Sequence, residues 1–344
     1  MGNHAGPFHL HNDHQRRPNS LPGSSPVEEM AGVIEEVWDC SEIAQQYEFG
    51  NPLGKGAYGV VFVATHKPTG KQYAMKKMEM RVSEEGVPQS VLREISTLMV
   101  LGQRGHENIA HLHETFHDLN EDGTILKVFM VMEKCDWDLY TFLREIPRDM
   151  PDSQCRMIAR QILRGVDFLH TNNVIHRDLK PQNILINRDQ SVKIADFGLS
   201  RSYSMYSSFT TTVVTLWYRS PELLLQTSYN SGADIWAVGL IIAEVYSRRP
   251  LLNANTEAQQ LQITMQRLGT PTHDQWPDGA IIDISQYQQY QRLPDNVLFP
   301  RMPRDGICLV NACLQCSAIQ ALHLPYFQFA QPPPMIPQPL REWN

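Results

Sequence analysis

The chain has 344 residues, 42% of them hydrophobic, with 30 Lys+Arg against 37 Asp+Glu and a formal net charge of −7. That apolar content excludes wholesale disorder, and the acidic balance argues against a general nucleic-acid binder, which would carry a basic footprint. The 6 cysteines make no disulfide framework, no apolar run is long enough to span a bilayer, and the N-terminus lacks an apolar signal region. The expectation is a soluble intracellular protein with neither nucleic acid nor membrane among its partners.

Residues 1–42 have the composition of a disordered tail, rich in His, Asn, Pro, Gly and Ser near the start. From Tyr47 to Met132 short β-like runs dominate: Val60 to Val63, Gln72 to Met78 and Lys127 to Met132. Ahead of the first lies Gly54-Lys55-Gly56-Ala57-Tyr58-Gly59. Glycines let backbone amides approach phosphates that a Cβ would obstruct. A dinucleotide fold would continue from such glycines into a helix, whereas a β run follows here, which favours a phosphate-covering hairpin over that alternative. In the next strand, period-two alternation puts Ala74, Lys76 and Met78 on one face. A small residue beside a lysine suits an aromatic base near an anionic phosphate; an edge-strand surface lysine is the other reading.

The spacing predicts a helix from Gln89 to Leu101, with Val91, Glu94, Ile95 and Leu98 on one face. A carboxylate turned inward needs a cation, and Lys76 is the candidate, although a Glu snorkelling to solvent has the same spacing. From Asp138 onward helical periodicity takes over, as in Ile158, Ile162, Val166 and Leu169. A second, almost wholly apolar helix covers Ala233 to Tyr246. The expected fold class is therefore α+β: a small β-rich lobe with one key helix (47–134) and a larger helical lobe (136–327). Ligands favour the cleft between such lobes.

The most specific segment is His176-Arg177-Asp178-Leu179-Lys180-Pro181-Gln182-Asn183. Asp178 can accept a proton from a substrate hydroxyl, Lys180 can neutralise a transferring phosphate, and Asn183 can ligate a metal. A hairpin, Ile184 to Ile186 and Ser191 to Ile194, then delivers Asp196-Phe197-Gly198, a strand-end carboxylate suited to Mg²⁺ between nucleotide phosphates. Ser220-Pro221-Glu222 and Asp234-Ile235-Trp236-Ala237-Val238-Gly239 follow. A P-loop ATPase is excluded, because G-x-x-x-x-G-K-S/T is absent. The stretch Gln331 to Asn344 is proline-dense and, with its approach from residue 328, reads as an extended tail.

In order, these segments match the protein-kinase signature set. From Tyr47 to Phe327 the chain resembles a eukaryotic protein kinase of the cyclin-dependent family, on Pro88-Gln89-Ser90-Val91-Leu92-Arg93-Glu94 and Val213-Val214-Thr215-Leu216-Trp217-Tyr218-Arg219. Within it, the chain is similar to the D-type-cyclin-dependent G1 kinases, on Ala57, Asp136-Trp137-Asp138-Leu139 and Leu163-Arg164-Gly165-Val166-Asp167-Phe168-Leu169-His170.

The resemblance implies a cyclin-dependent serine/threonine kinase using ATP and Mg²⁺. The catalytic set would be Asp178, Lys180, Lys76, Glu94 and Thr215, with Asn183 and Asp196 on the metal. Nucleotide would meet Leu53, Gly54, Gly56, Gly59, Val61, Ala74, Lys76 and Met132, then the Glu133 and Cys135 backbone, with Asp138 near the ribose and Leu185 beneath the base. Thr210 would be the activating phosphorylation site, read by Arg93, Arg177 and Arg201, and Tyr58 an inhibitory one. The resemblance further implies a D-type cyclin on the helix Pro88 to Leu101, Ser/Thr-Pro substrates including retinoblastoma-type pocket proteins, inhibitor proteins, an activating kinase, and residence in nucleus and cytoplasm. A non-catalytic cyclin-binding scaffold is the rival.

One departure stands out. Relatives are longer around Cys313-Leu314-Gln315-Cys316-Ser317-Ala318 and hold there an Arg that pairs with the buried carboxylate matching Glu222. Its loss predicts a marginal C-lobe in which Glu222 is rescued by another cation or by water; an incomplete gene model or splice form is the other reading. The Cys313–Cys316 spacing could also suggest zinc, but structural packing is the commoner use of one such pair.

Overall fold

The computed structural model describes residues 41–56, 59–82, 89–146, 150–197, 201–202, 216–227, 230–276 and 279–314. The chain enters through a short helix, α1 (Ser41–Gln46), ahead of the expected start at Tyr47. Ile43 on α1 is fully buried, so these residues belong to the lobe rather than to a tail. Strands β1 (Tyr47–Gly56), β2 (Gly59–His66), β3 (Gln72–Arg81), β4 (Leu112–Leu119) and β5 (Ile125–Glu133) form a five-stranded antiparallel sheet ordered β1-β2-β3-β5-β4. Between β3 and β4 runs α2 (Gln89–Arg104), one turn longer than its periodicity predicts.

Residues directly opposite in an antiparallel sheet share a face, so register assigns each side chain to a surface. Phe62, Met75 and Val131 lie in one row and pack with Tyr47, Tyr73, Phe116 and Phe129 on the outer face. The adjacent row, Gly54, Val61, Lys76 and Met130, faces the other way, as does the row Val63, Ala74 and Met132. That second surface is the roof of the cleft. The strand LHETFHDL (β4) is not announced by hydrophobic alternation: its burial alternates along its whole length, but the inward positions of this edge strand hold Glu114 and Asp118 beside Leu112 and Phe116.

Past the hinge come β6 (Trp137–Asp138), α3 (Leu139–Glu145), the long α4 (Asp152–Thr171) and β7 (Val174–Ile175). The hairpin β8 (Ile184–Ile186) and β9 (Val192–Ile194) pairs with β6, and β10 (Arg201–Ser202) pairs with β7. Helices α5 (Pro221–Leu224), α6 (Gly232–Ser247), α7 (Glu257–Leu268), α8 (Asp295–Leu298) and α9 (Arg304–Cys313) complete the described lobe. Apolar on all sides, α6 is buried along nearly its whole length and forms the spine of the main core together with α4 and α9. Gly239 makes the α6–α9 approach possible, since a Cβ there would lie 2.9 Å from that of Cys313.

The two lobes are stitched by the segment between α2 and β4. Ala110 N donates to Ile194 O at 2.9 Å and Ile194 N to Asn108 O at 2.9 Å. The Asn108 amide donates to Val192 O at 2.9 Å. Gly165 on α4 lets this strap close down, because a Cβ would meet Ile194 Cδ1 at 2.8 Å and Asn108 O at 2.9 Å.

Candidate functional site

Lys76 is 7% exposed and Glu94 2%, which rules out both the surface-lysine and the snorkelling readings. The Lys76 ammonium donates to both oxygens of Glu94, at 2.8 and 3.0 Å, and to Asp196 at 3.3 Å. Burial alone would pull the Lys76 pKa down, but the carboxylates of Glu94 and Asp196 outweigh it and leave the pKa above its ordinary value. Lysine therefore stays cationic at the roof of the cleft, over a carboxylate whose side chain is 41% exposed. Burial works against ionising Asp196 too, yet the lysine keeps its pKa below the ordinary carboxylate range.

Opposite lies the loop between β7 and β8. Lys180 Nζ is 2.7 Å from Asp178 Oδ2. The Asn183 amide nitrogen donates to Asp178 O at 2.8 Å and to its Oδ2 at 3.2 Å. Both donations come from the nitrogen, leaving the Asn183 amide oxygen to ligate. Burial raises the Asp178 pKa, with Lys180 drawing it partly back, which suits a group that takes a proton in passing. Asp196 and the Asn183 oxygen are hard oxygen donors, and Mg²⁺ is held by one or two such protein groups plus substrate phosphates rather than by a closed protein cage. Consistent with that, no three His, Cys, Asp or Glu gather into a metal cage among the described residues. Cys308, exposed, and Cys313, buried, form no zinc set with any described partner; Cys316 lies outside the described residues.

The glycine loop needs its last glycine for a steric reason. Gly59 has φ +153°, and a Cβ there would fall 1.8 Å from Lys77 O. Register sets Gly54 and Val61 beside Lys76, and Ala74 beside Met132, so the nucleotide-facing residues expected on the roof share its surface. Leu53, in the same loop, is half exposed. Leu185 lies on β8 across from Asp138. The Asp138 carboxylate caps α3, accepting from Thr141 N at 2.9 Å and Thr141 Oγ1 at 2.7 Å, a role the sequence reading did not include. Tyr58, Thr210 and Thr215 lie outside the described residues, as do Val213 and Val214. So do the side chains of Gly56's neighbour Lys55 and of Arg201. The backbone of Arg201 nonetheless pairs with Ile175 on β7, two residues before Arg177. Arg93 lies on α2, half-buried, one position before Glu94.

With this geometry in hand, the comparisons are decisive. Residues 47–320 match the protein kinase domain family. Over 263 residues the chain is 50% identical to the cyclin-dependent kinase 4 homolog of Caenorhabditis elegans, covering 76% of this chain and 65% of that protein. It is 38% identical over 293 residues to cyclin-dependent kinase 4 of Xenopus laevis, covering 83% and 92%. Cyclin-dependent kinase 10 of Bos taurus is also 38% identical, over 272 residues, covering 78% and 73%. The chain belongs to the protein kinase family, in its cyclin-dependent branch.

Two residues of this kinase were quoted in motifs without a role. Asp234, 1% exposed on α6, accepts from His176 N and Arg177 N, each at 2.8 Å, and from His170 Nε2 at 2.9 Å. Burial would raise its pKa, but His170 and these amides hold it below the ordinary range. It thereby pins the backbone of the catalytic loop, where Arg177 takes φ +71°. His176 is fully buried; its Nε2 donates to Ala195 O at 3.0 Å while Nδ1 accepts from Asp178 N at 3.3 Å. One imidazole thus joins the Asp178 loop to the Asp196 loop, and Asp196 itself has φ +64°. A charged residue inside the apolar run Ala233 to Tyr246 was the available signal, since a buried carboxylate requires partners.

Glu222 differs from the buried carboxylate of the relatives. It is half-buried rather than buried, and no ion pair forms on its carboxylate among the described residues. A half-buried carboxylate carries less of the desolvation penalty than a fully buried one.

Proposed function

We propose that this kinase moves the γ-phosphate of ATP to serine or threonine hydroxyls followed by proline, under control of a D-type cyclin, with retinoblastoma-type pocket proteins among its substrates. The observation that carries the reading is the cluster of Lys76, Glu94 and Asp196 above Asp178, Lys180 and Asn183. Lys76, cationic and held by Glu94, neutralises and orients phosphate oxygens. Asp178 accepts the hydroxyl proton, and Lys180 offsets charge accumulating on the transferring group. Asp196 and the Asn183 amide oxygen would hold Mg²⁺, which would supply charge neutralisation for the phosphates. ATP would lie with its base between Ala74 and Leu185.

Partner control is supported by α2. Its inner face buries Glu94, Leu98 and Leu101, while Leu92, Met99 and Val100 are 53%, 54% and 50% exposed. An apolar stripe on the outside of the helix that carries the phosphate-aligning carboxylate is a partner surface. Residence in nucleus and cytoplasm, an activating kinase acting at Thr210, and inhibitor proteins belong to the same reading.

The test is phosphate transfer to a Ser-Pro peptide, with and without a D-type cyclin, for the wild type and for Thr210→Ala. Cyclin-dependent transfer that falls in Thr210→Ala is expected. Cyclin binding without any transfer would instead establish the scaffold.

A further inference from the structure

Lys193 has no place in the reaction as described, yet it joins three elements behind the cleft. On β9, Val192 and Ile194 are buried in the core, so alternation turns Lys193 to the opposite face. There it is the direct cross-strand partner of Leu185, the residue under the base. Its ammonium is 2.9 Å from Glu133 Oε1, at the end of β5 where the hinge begins. The same ammonium donates to Glu107 O at 3.1 Å, in the strap between α2 and β4.

Glu133 is held from the other side as well. His111 N donates to the Glu133 carboxylate at 3.1 Å and Glu133 N donates to His111 O at 3.1 Å, which closes a ring. The two side chains are only 16% and 28% exposed, so the pair is screened less than a surface pair. Charge is felt along the hinge: burial pushes the Cys135 thiol up to about 12, Glu133 adding to the rise and Lys193 opposing it.

We propose that Lys193 is a positioning residue for the base of the nucleotide, acting through Glu133. The inference rests on the hinge backbone at Glu133 and Cys135 being the adenine-facing edge. One short strand then sets both ends of the ligand. Lys193 fixes the hinge, and three residues later Asp196 receives the phosphate end, so the span between base and phosphate subsites is referred to a single element. Without the ammonium, Glu133 keeps its His111 bond but turns to solvent, and the hinge edge loosens while the Asp178 chemistry is untouched.

The experiment uses the full chain with its cyclin, comparing wild type with Lys193→Met, Lys193→Arg, Glu133→Gln and the double variant Lys193→Met/Glu133→Gln. Adenosine affinity is measured by displacement of a fluorescent adenine nucleotide, and KM for ATP and kcat by peptide phosphorylation. Lys193→Met should weaken adenosine and raise the ATP KM by a common factor of about fivefold, as expected of a modest ion pair, with kcat nearly unchanged. Lys193→Arg should restore most of the loss, and the double variant should be no worse than Lys193→Met alone. Unchanged adenosine affinity in a folded Lys193→Met, or a fall in kcat with KM constant, overturns the proposal. If Lys193→Met does not fold, Glu133→Gln carries the same comparison, because its amide oxygen still accepts from His111. A wild type that binds no adenosine defeats the kinase reading itself, whereas a binding wild type matched by both variants defeats only this inference.

Discussion

The floor and the roof of the cleft are held in different ways. Below, Asp234 receives three hydrogen bonds from the loop and α4, and His176 links that loop to Ala195. Asp234 and His176 are themselves buried, and α6, which carries Asp234, is apolar and buried along nearly its whole length. Above, α2 carries its one functional carboxylate on a single lysine and leaves an apolar stripe facing outward. Among the described residues, the floor is held by contacts within its own lobe. The roof helix is tied to the sheet by the Lys76–Glu94 pair, so under the proposed function a partner on α2 would act through Glu94 while the Asp178 loop stays held from α6.

The largest expected effect tests the chemical half of that contrast. Asp178→Asn should lower transfer by about 10²- to 10⁴-fold, the range for a lost proton acceptor, while nucleotide affinity in Mg²⁺ persists. Asp196→Asn should lose nucleotide affinity in Mg²⁺ as well. Equal losses of affinity in both would show that the two carboxylates do not divide their roles. The same site predicts a pH dependence. The Asp178 pKa is raised above the ordinary value, so activity should fall as pH drops through it, while native stability from this one group rises, because the folded state then binds the proton more readily. Removing the Lys180 charge (Lys180→Met) should move the acid limb of the kcat profile to higher pH. A shift in the opposite direction would remove Lys180 from the electrostatics of Asp178.

Asp234→Asn addresses the structural half. The carboxylate accepts from His176 N, Arg177 N and His170, and an amide would turn its own NH₂ toward one of these donors. Breaking one side of such a buried set costs on the order of 3–5 kcal/mol. Chemical denaturation should show that loss, with cyclin affinity preserved. Because the Asp234 pKa is depressed in the folded state, its contribution is present above the unfolded value and is lost as pH falls through the folded one. A variant as stable as wild type would mean that the floor is not held from α6.

On the roof, Leu92→Asp and Met99→Asp should do the reverse. Both side chains are more than half exposed, so melting temperature should hardly move. Cyclin affinity should fall by about 1–3 kcal/mol for each apolar side chain removed from a buried contact. Activation without loss in either variant would place the partner on another face.

Legibility from sequence followed the same division. The roof could be read because alternation and helical spacing are local: Lys76, Ala74 and Glu94 were placed on their faces by period alone, and register bears this out. Asp178, Asn183 and Asp196 were readable as residue types in a known order. What escaped was long-range. Asp234 serves residues more than fifty positions earlier, Lys193 reaches the hinge, and Gly165 makes room for Asn108. No periodicity encodes such pairings. Asp138 shows the complementary gap, because a short helix after a two-residue strand gives too little pattern to announce its cap.

Glu222 provides the smallest effect and the sharpest contrast with Asp234. Both are acids of the C-lobe, and the sequence predicts a Glu222 that has lost its arginine and is rescued by water or another cation, in a marginal lobe. Glu222 sits on the first turn of α5, half-buried, and among the described residues its backbone carbonyl is engaged, accepting from Thr227 N at 3.0 Å and Thr227 Oγ1 at 3.1 Å, while no ion pair forms on its carboxylate. A carboxylate that keeps its water loses little when its charge is removed, so Glu222→Gln should change stability by less than about 0.5 kcal/mol. Asp234→Asn, measured in parallel under the same denaturant, should exceed it several-fold. If Glu222→Gln destabilised the C-lobe as much as Asp234→Asn, the carboxylate would have to be paired in the folded protein, and the shortened segment after Leu314 would then have found a substitute for the missing cation.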